Sequence, residues 1–294
     1  MLRMQALAAV AAAVVGCLAL VGCGSENRSP TGTPAAQDER LHDLLPAEIR
    51  KRGTIRVATD MGYAPFEYFS ANQQPVGLDV DLMRALEPIL GVRFAISDTT
   101  YAGIIPALEA KRYDVGWSAI VIASLGGTGA VDFLVYIDPS LDSVLVASSN
   151  TSIRKSLDLC GKTFAFLQAE KSVSTDEASA LCRKAGKPAI KWKFFQKTPD
   201  VILAVESGQV DARVAYVVNG TYYVKASKGK LKLVQGVLPR SPLTMGVAVP
   251  VDQKGLEAAL RGGLQRLIAN GTYARILKRY GATPVGVRRI TIRQ

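Results

Sequence analysis

Four cysteines and one histidine carry most of the redox and metal chemistry open to this 294-residue chain. Cys23 follows Leu20-Val21-Gly22, the pattern at which an exported chain is cut and its new amino-terminal cysteine acylated. Acyl chains there would tether the protein to a membrane without spanning it. Val14-Val15-Gly16-Cys17 is a poorer copy, and Cys17 is expected to leave with the signal. Cys160 and Cys182 remain, and an even pair in an exported chain reads as one disulfide, with two buried free thiols as the alternative. Zinc would need further ligands, and His42 lies far from both cysteines in a polar linker, so no metal or cofactor is expected. The domain also lacks a histidine beyond this linker and a Gly-x-Ser-x-Gly elbow, which argues against an enzyme.

These residues sit in a chain that opens with Arg3 and an uncharged run from Ala6 to Val21, the layout of a secretory signal peptide over 1–22. That run is shorter than the roughly 20 residues a spanning helix needs. Residues 23–45 are expected to form a flexible tether, because the Gly-, Ser-, Pro- and Thr-rich part up to Arg40 cannot bury enough apolar surface to fold. The net charge is +11, and no acidic residue follows Glu257. Export removes nucleic acid as a partner, which leaves a solvated basic face near anionic lipid or an importer subunit, or a plain solubility surface.

From residue 46 onward, strands and helices alternate. Thr54–Thr59, Val92–Ser97 and Val115–Ile120 read as strands, with helices at Asp79–Leu90 and Ile104–Ala110 between them. The scheme repeats with strands Thr163–Leu167, Ile190–Phe195 and Ala212–Tyr216, and with helices from Ser174 to Lys184 and from Pro199 to Gly208. A later strand, Thr244–Val249, leads into helices Leu256–Ala269 and Thr272–Tyr280. Such β-α-β runs imply mostly parallel sheets covered by helices. Ile105-Pro-Ala-Leu-Glu109 before Asp114 resembles Leu203-Ala-Val-Glu206 before Asp211, as two similar α/β lobes would explain.

Seven segments in order resemble the family 3 extracellular solute-binding proteins, the polar amino-acid receptors of ABC importers. They are Tyr63-Ala-Pro-Phe-Glu-Tyr68, Gly77-Leu-Asp-Val-Asp-Leu82, Tyr113-Asp-Val, Val131-Asp-Phe, Gly161-Lys-Thr, Val210-Asp-Ala and Asn270-Gly-Thr-Tyr-Ala-Arg-Ile-Leu-Lys-Arg-Tyr-Gly281. The resemblance implies an α/β, periplasmic-binding-protein-like type II fold, with two lobes of mixed sheets joined by two hinge strands, Leu141–Ala147 and Thr244–Val249. Lobe 1 is expected over 46–143 and 248–294 and lobe 2 over 144–247, closing by a hinge motion on a ligand between them. The implied partners are a small-molecule ligand and an ABC importer permease, for a monomer lipid-anchored outside the cytoplasm.

The same resemblance exposes departures. The family's carboxylate-clamping arginine falls at Gly126 or Gly127, and no Lys or Arg occurs between Arg112 and Arg154. Tyr216 stands where the family places an ammonium-binding aspartate. Both charged grips on an amino acid are therefore expected to be missing, so a standard amino acid should bind poorly unless charge comes from elsewhere. Lys171 could replace the clamp at a helix start, or point to solvent beside Glu170. Tyr63, Phe66, Trp117 and Tyr216 are candidates for an aromatic-lined cleft, with ordinary lobe packing as the alternative. Glu67 and Ser118 are candidate polar contacts, and Asp79 and Asp81 read as charges at a helix N-terminus. A surface sensor with an altered cleft is the alternative function, and a dehydratase-like enzyme on the same fold is a further one.

Overall fold

The computed structural model describes residues 37–294 apart from 126–128, 139, 142, 169, 171–172, 239–240 and 243. The expectations for the signal, Cys17, Cys23, Gly126, Gly127 and Lys171 lie outside the described residues. All the elements below belong to one compact unit, Ala35–Gln294.

In chain order come α1 (Glu39–Leu44), α2 (Ala47–Arg52), β1 (Thr54–Thr59), β2 (Tyr68–Phe69), β3 (Pro75–Val76), α3 (Leu78–Leu90), β4 (Arg93–Asp98) and α4 (Ile104–Glu109). Next are β5 (Val115–Val121), α5 (Ile122–Leu125), β6 (Val131–Ile137), β7 (Ser140–Leu141) and β8 (Ser143–Ala147). Then follow β9 (Thr163–Leu167), α6 (Val173–Lys184), β10 (Lys191–Phe195), α7 (Thr198–Glu206), β11 (Ala212–Ala215), α8 (Val217–Ala226) and β12 (Leu231–Val234). The chain ends with β13 (Ser241–Pro242), β14 (Met245–Pro250), α9 (Lys254–Ala269), α10 (Thr272–Arg279) and β15 (Gly286–Arg293).

Two sheets organise these elements. One has the order β15-β6-β14-β5-β1-β4, and the other β10-β9-β11-β8-β12. In the first, β1 runs parallel to β4 and β5, while β14 and β15 run antiparallel to β6. In the second, β9 runs parallel to β10 and β11, while β8 runs antiparallel to β11 and β12. Both are mixed sheets. Strands β5 and β6 are buried along their whole length, as strands covered on both faces must be, which accounts for their unbroken apolar runs.

Helix α3 shows how the sequence builds the first lobe. Leu78, Leu82, Met83, Leu86, Ile89 and Leu90 are buried, each side chain contributing about 1.5–3 kcal/mol relative to exposure. Gly91 then ends the helix in the left-handed region at φ +65°. Helix α9 crosses it closely at Gly263, where a Cβ would come 2.8 Å from Leu86 Cδ2.

The last residues given to the tether form α1, whose Asp38 cap accepts from Leu41 N. His42 Nδ1 lies 2.8 Å from the Leu90 carbonyl, and Leu41 packs on the core beside Gly262, so this segment is anchored to the lobe. The hinge strands are shorter than expected, because residues 143–147 pair within the second sheet and 245–250 within the first. Among the described residues, β7 and β13 pair with each other between the lobes, Ser241 opposite Leu141 and Pro242 opposite Ser140. The tail after α10, for which no element was expected, supplies β15, which pairs with β6 and leaves Arg288, Arg289 and Arg293 exposed. The disulfide Cys160–Cys182 is present, joining the end of α6 to the turn before β9 across a Cα separation of 5.5 Å.

Candidate ligand-binding site

The cleft wall of the first lobe is built where β1 ends. Asp60, Met61 and Gly62 lead into the loop Tyr63–Glu67, which folds back on itself through Gly62 N to Glu67 O (3.1 Å) and Phe66 N to Tyr63 O (2.9 Å). The loop also accepts the unpaired N–H groups at the start of α3, Leu78 N to Pro65 O and Asp79 N to Phe66 O, both 2.9 Å. This approach requires Gly77, which sits at φ +131° and where a Cβ would lie 2.1 Å from Phe66 O.

Beneath the loop lies a buried polar network. Ser118 on β5 donates to Glu67 Oε1 (3.0 Å) and accepts from Asp60 N (2.9 Å). Asp79 is fully buried, taking the Tyr136 hydroxyl at 2.8 and 2.7 Å and Ala119 N at 3.0 Å. It does lie in the first turn of α3, as expected, but buried rather than at the surface. It holds Ala119 at φ +41°, a left-handed conformation that costs a β-carbon residue about 1–3 kcal/mol. Burial raises the pKa of Glu67 far above its usual range, and the neighbouring Asp79 carboxyl raises it further. Burial likewise lifts Asp79 to about 6 despite its donors. Two ionised carboxylates are acceptors only, so their contact calls for a proton between them.

The second lobe brings up Leu167 from β9, Glu170 beyond it, Thr198 at the start of α7 and Arg213 from β11. With Asp60, Tyr63, Glu67, Tyr101, Ser118, Ala119 and Val121 these line one small cavity. Arg213 is only 2 % exposed. Its Nη2 lies 3.6 Å from Glu170 Oε1 and its guanidinium carbon 5.8 Å from the Tyr63 ring centre, while Nε and Nη1 find no acceptor among the described residues. Burial disfavours its charge, but Glu170 and the tyrosines outweigh that and keep the guanidinium firmly protonated. Across the cavity, Asp60 Oδ2 and Glu67 Oε2 are buried without a donor.

The lobes touch directly. Lys197, just before α7, donates to Asp60 Oδ1 (2.9 Å), Asp98 Oδ1 (2.8 Å) and the Thr99 carbonyl (2.8 Å), all in the first lobe. Asn219 donates to the Tyr63 hydroxyl (2.8 Å), and Tyr68 packs on Tyr222 with ring centres 5.7 Å apart. The cleft is closed. Burial raises the Asp60 pKa, and Lys197 counters only part of that rise.

Of the candidates named from sequence, Tyr63, Glu67 and Ser118 line this cavity. Phe66 lies behind Tyr63 with ring centres 5.5 Å apart. Tyr216 is buried where β11 passes into α8 and is not among the lining residues. Trp117 is a correction. It is wholly buried in the first lobe between Phe94 and Tyr136, at 6.1 and 5.7 Å, because its side of β5 faces the core. A guanidinium nevertheless reaches the cavity wall from the second lobe, Arg213, a position that was not among the sequence candidates. Its signal was legible as an arginine inside the otherwise apolar strand Ala212–Ala215, where a buried charge must have a use or a partner.

Two lobes closed over a small cavity with charged side chains on opposite walls define a receptor that captures a solute. The chain belongs to the bacterial extracellular solute-binding proteins, family 3, whose model matches residues 55–283. It is 24 % identical over 285 residues to the arginine-binding protein ArgT of Corynebacterium glutamicum, covering 94 % of this chain and 92 % of that one. Among solved structures, an ancestral arginine-binding protein bound to arginine shares 29 % identity at a TM-score of 0.66, over 78 % of this chain and 98 % of that one. An ancestral amino acid-binding protein described as a precursor of cyclohexadienyl dehydratase shares 29 % identity at a TM-score of 0.65, over 79 % and 97 %. The chain is thus a substrate-binding protein of the ABC importer type with the type II periplasmic-binding-protein fold, working outside the cytoplasm.

Proposed function

We propose that this protein is the lipid-anchored, monomeric receptor of an ABC importer and captures a cationic amino acid, its carboxylate on Arg213 and its positive end on Asp60, with the neutral Glu67 carboxyl accepting a hydrogen bond beside it. The observation that carries the reading is the Arg213 side chain. A buried guanidinium with two donors lacking acceptors in a closed cavity favours a carboxylate, which it meets in bidentate fashion. The buried acceptors Asp60 Oδ2 and Glu67 Oε2 favour a ligand group rich in N–H donors. The names of the arginine-binding relatives agree with a ligand carrying both groups.

Residues 46–143 and 248–294 would then form lobe 1 and 144–247 lobe 2, with Tyr63 stacking on the ligand body. Cys23 would carry the lipid. Among the described residues the cavity lining has no histidine or cysteine, so capture is favoured over catalysis. Titration calorimetry of the Ala35–Gln294 unit with L-arginine, L-histidine and L-glutamate tests the reading. Heat with L-arginine or L-histidine but not L-glutamate supports it, whereas binding of L-glutamate alone, or of none, overturns it and moves weight to a sensor role.

A further inference from the structure

A second surface, remote in chemistry from the cleft, lies on β10, an edge strand of the second sheet. Trp192 and Phe194 alternate with Lys191 and Lys193 along it, so both rings share one face. They are 45 % and 46 % exposed and meet at 6.3 Å with rings near perpendicular. Buried Phe166 backs both, at 6.0 and 6.3 Å, which holds the pair in place as a fixed apolar knob.

Around this knob the chain is basic. Arg183 and Lys184 close α6, Lys187 follows in the connecting loop, and Lys191 opens β10, all four exposed. No Asp or Glu occurs between Glu177 and Asp200. The loop is not loose chain. The Cys160–Cys182 bridge, Gly161 N to Pro188 O (3.0 Å) and Lys191 N to Lys162 O (2.8 Å) pin it beside the strand. Among the described residues, none of Arg183, Lys184, Lys187, Lys191 and Lys193 joins an ion pair. The basic C-terminal region differs, since Arg266 pairs with Asp38 and Arg279 with Asp81.

We propose that this face of the second lobe is a docking surface for an anionic lipid bilayer, with Trp192 and Phe194 entering the headgroup region and Arg183, Lys184 and Lys187 beside them meeting lipid phosphates. Lys191 and Lys193 lie on the other face of the strand, Lys193 over the Phe195 ring. Indole and phenyl rings on a rigid base suit the membrane–water interface, and unpaired cations around them match its negative potential. The charge complementarity is what selects lipid. A second copy of the chain would set the same cations against one another, and lysines along an edge strand oppose strand-to-strand pairing. An acidic protein partner is the other outcome to be distinguished. The proposal is independent of what the cleft holds.

The test uses the Ala35–Gln294 unit, which contains every described element and lacks Cys23, so that no acyl chain contributes. The chain has two tryptophans, and Trp117 is buried, so a change in emission on adding vesicles reports Trp192. Mixed with phosphatidylglycerol–phosphatidylcholine vesicles at low salt, the unit is expected to shift its emission to the blue and to cosediment. Phosphatidylcholine vesicles alone should do neither. Trp192→Ala with Phe194→Ala, and separately Lys184→Glu with Lys187→Glu, should each lower the partition coefficient about tenfold. Both variants change exposed positions, and unchanged thermal unfolding confirms that they fold. Equal binding to neutral and anionic vesicles, or binding unmoved by both variants, overturns the proposal. Absence of vesicle binding together with a concentration-dependent mass, or with capture by an acidic polypeptide, also overturns it.

Discussion

Replacing Glu67 by glutamine should flatten the pH dependence of stability. The folded protein buries Glu67 beside Asp79, and burial raises both carboxyls, Asp79 to about 6. An unfolded aspartate titrates near 4. Between these values the folded state binds a proton that the unfolded chain does not, so stability falls as pH rises. The contribution is complete below about pH 4 and disappears above the folded pKa, the reverse of a carboxylate held in a salt bridge. From pH 5 to 7.5, Asp79 alone accounts for a loss of about 1.4 kcal/mol, and Glu67 adds to it. In Glu67→Gln the amide can donate to Asp79 without a shared proton, which removes the Glu67 part of this slope and leaves the part that the burial of Asp79 causes. Urea unfolding of both proteins at the two pH values gives the difference directly. A wild-type protein equally stable at both, or a slope that the substitution leaves unchanged, would refute the shared-proton account.

Lys197→Met should open the lobes, because three charge-assisted contacts to the first lobe disappear and Asp60 keeps no cation; small-angle scattering of the ligand-free protein should show a larger radius of gyration. Replacing Cys160 and Cys182 together by serine should cost about 3 kcal/mol of unfolding free energy by freeing the enclosed loop in the unfolded chain, read from the shift in urea midpoint. Gly77→Ala should weaken ligand binding by more than it lowers the melting temperature of a surface control, since a Cβ there collides with the Phe66 carbonyl and moves the loop bearing Tyr63 and Glu67.

The regular parts of the fold were legible because their signals are local. The apolar spacing of α3 and its terminal glycine mark that helix, and the unbroken run Val115–Val121 marks a covered strand. Strand β15 was not legible. Its pattern of arginines between half-buried residues is that of an edge strand, whose identity depends on β6, distant in sequence. The pairing of β7 with β13 depends in the same way on two-residue segments about a hundred positions apart. In the site, loop position led to Tyr63 and Glu67, but it could not tell which face of β5 carries Trp117 inward. Arg213 was overlooked because a carboxylate grip was sought where the family places it. Arg213 reaches the cavity from the opposite lobe beside Glu170 and Tyr63, and which charges face one another is a property of the closed cavity rather than of any one segment.

The most direct test of the account measures L-arginine and agmatine, which differ by the α-carboxylate, on the wild-type protein and on Arg213→Met by titration calorimetry. The account predicts that wild type prefers L-arginine by about a hundredfold, as expected for a buried charge pair, and that the variant loses this preference while keeping agmatine affinity. A preference that survives in Arg213→Met would contradict the assignment of the carboxylate to Arg213.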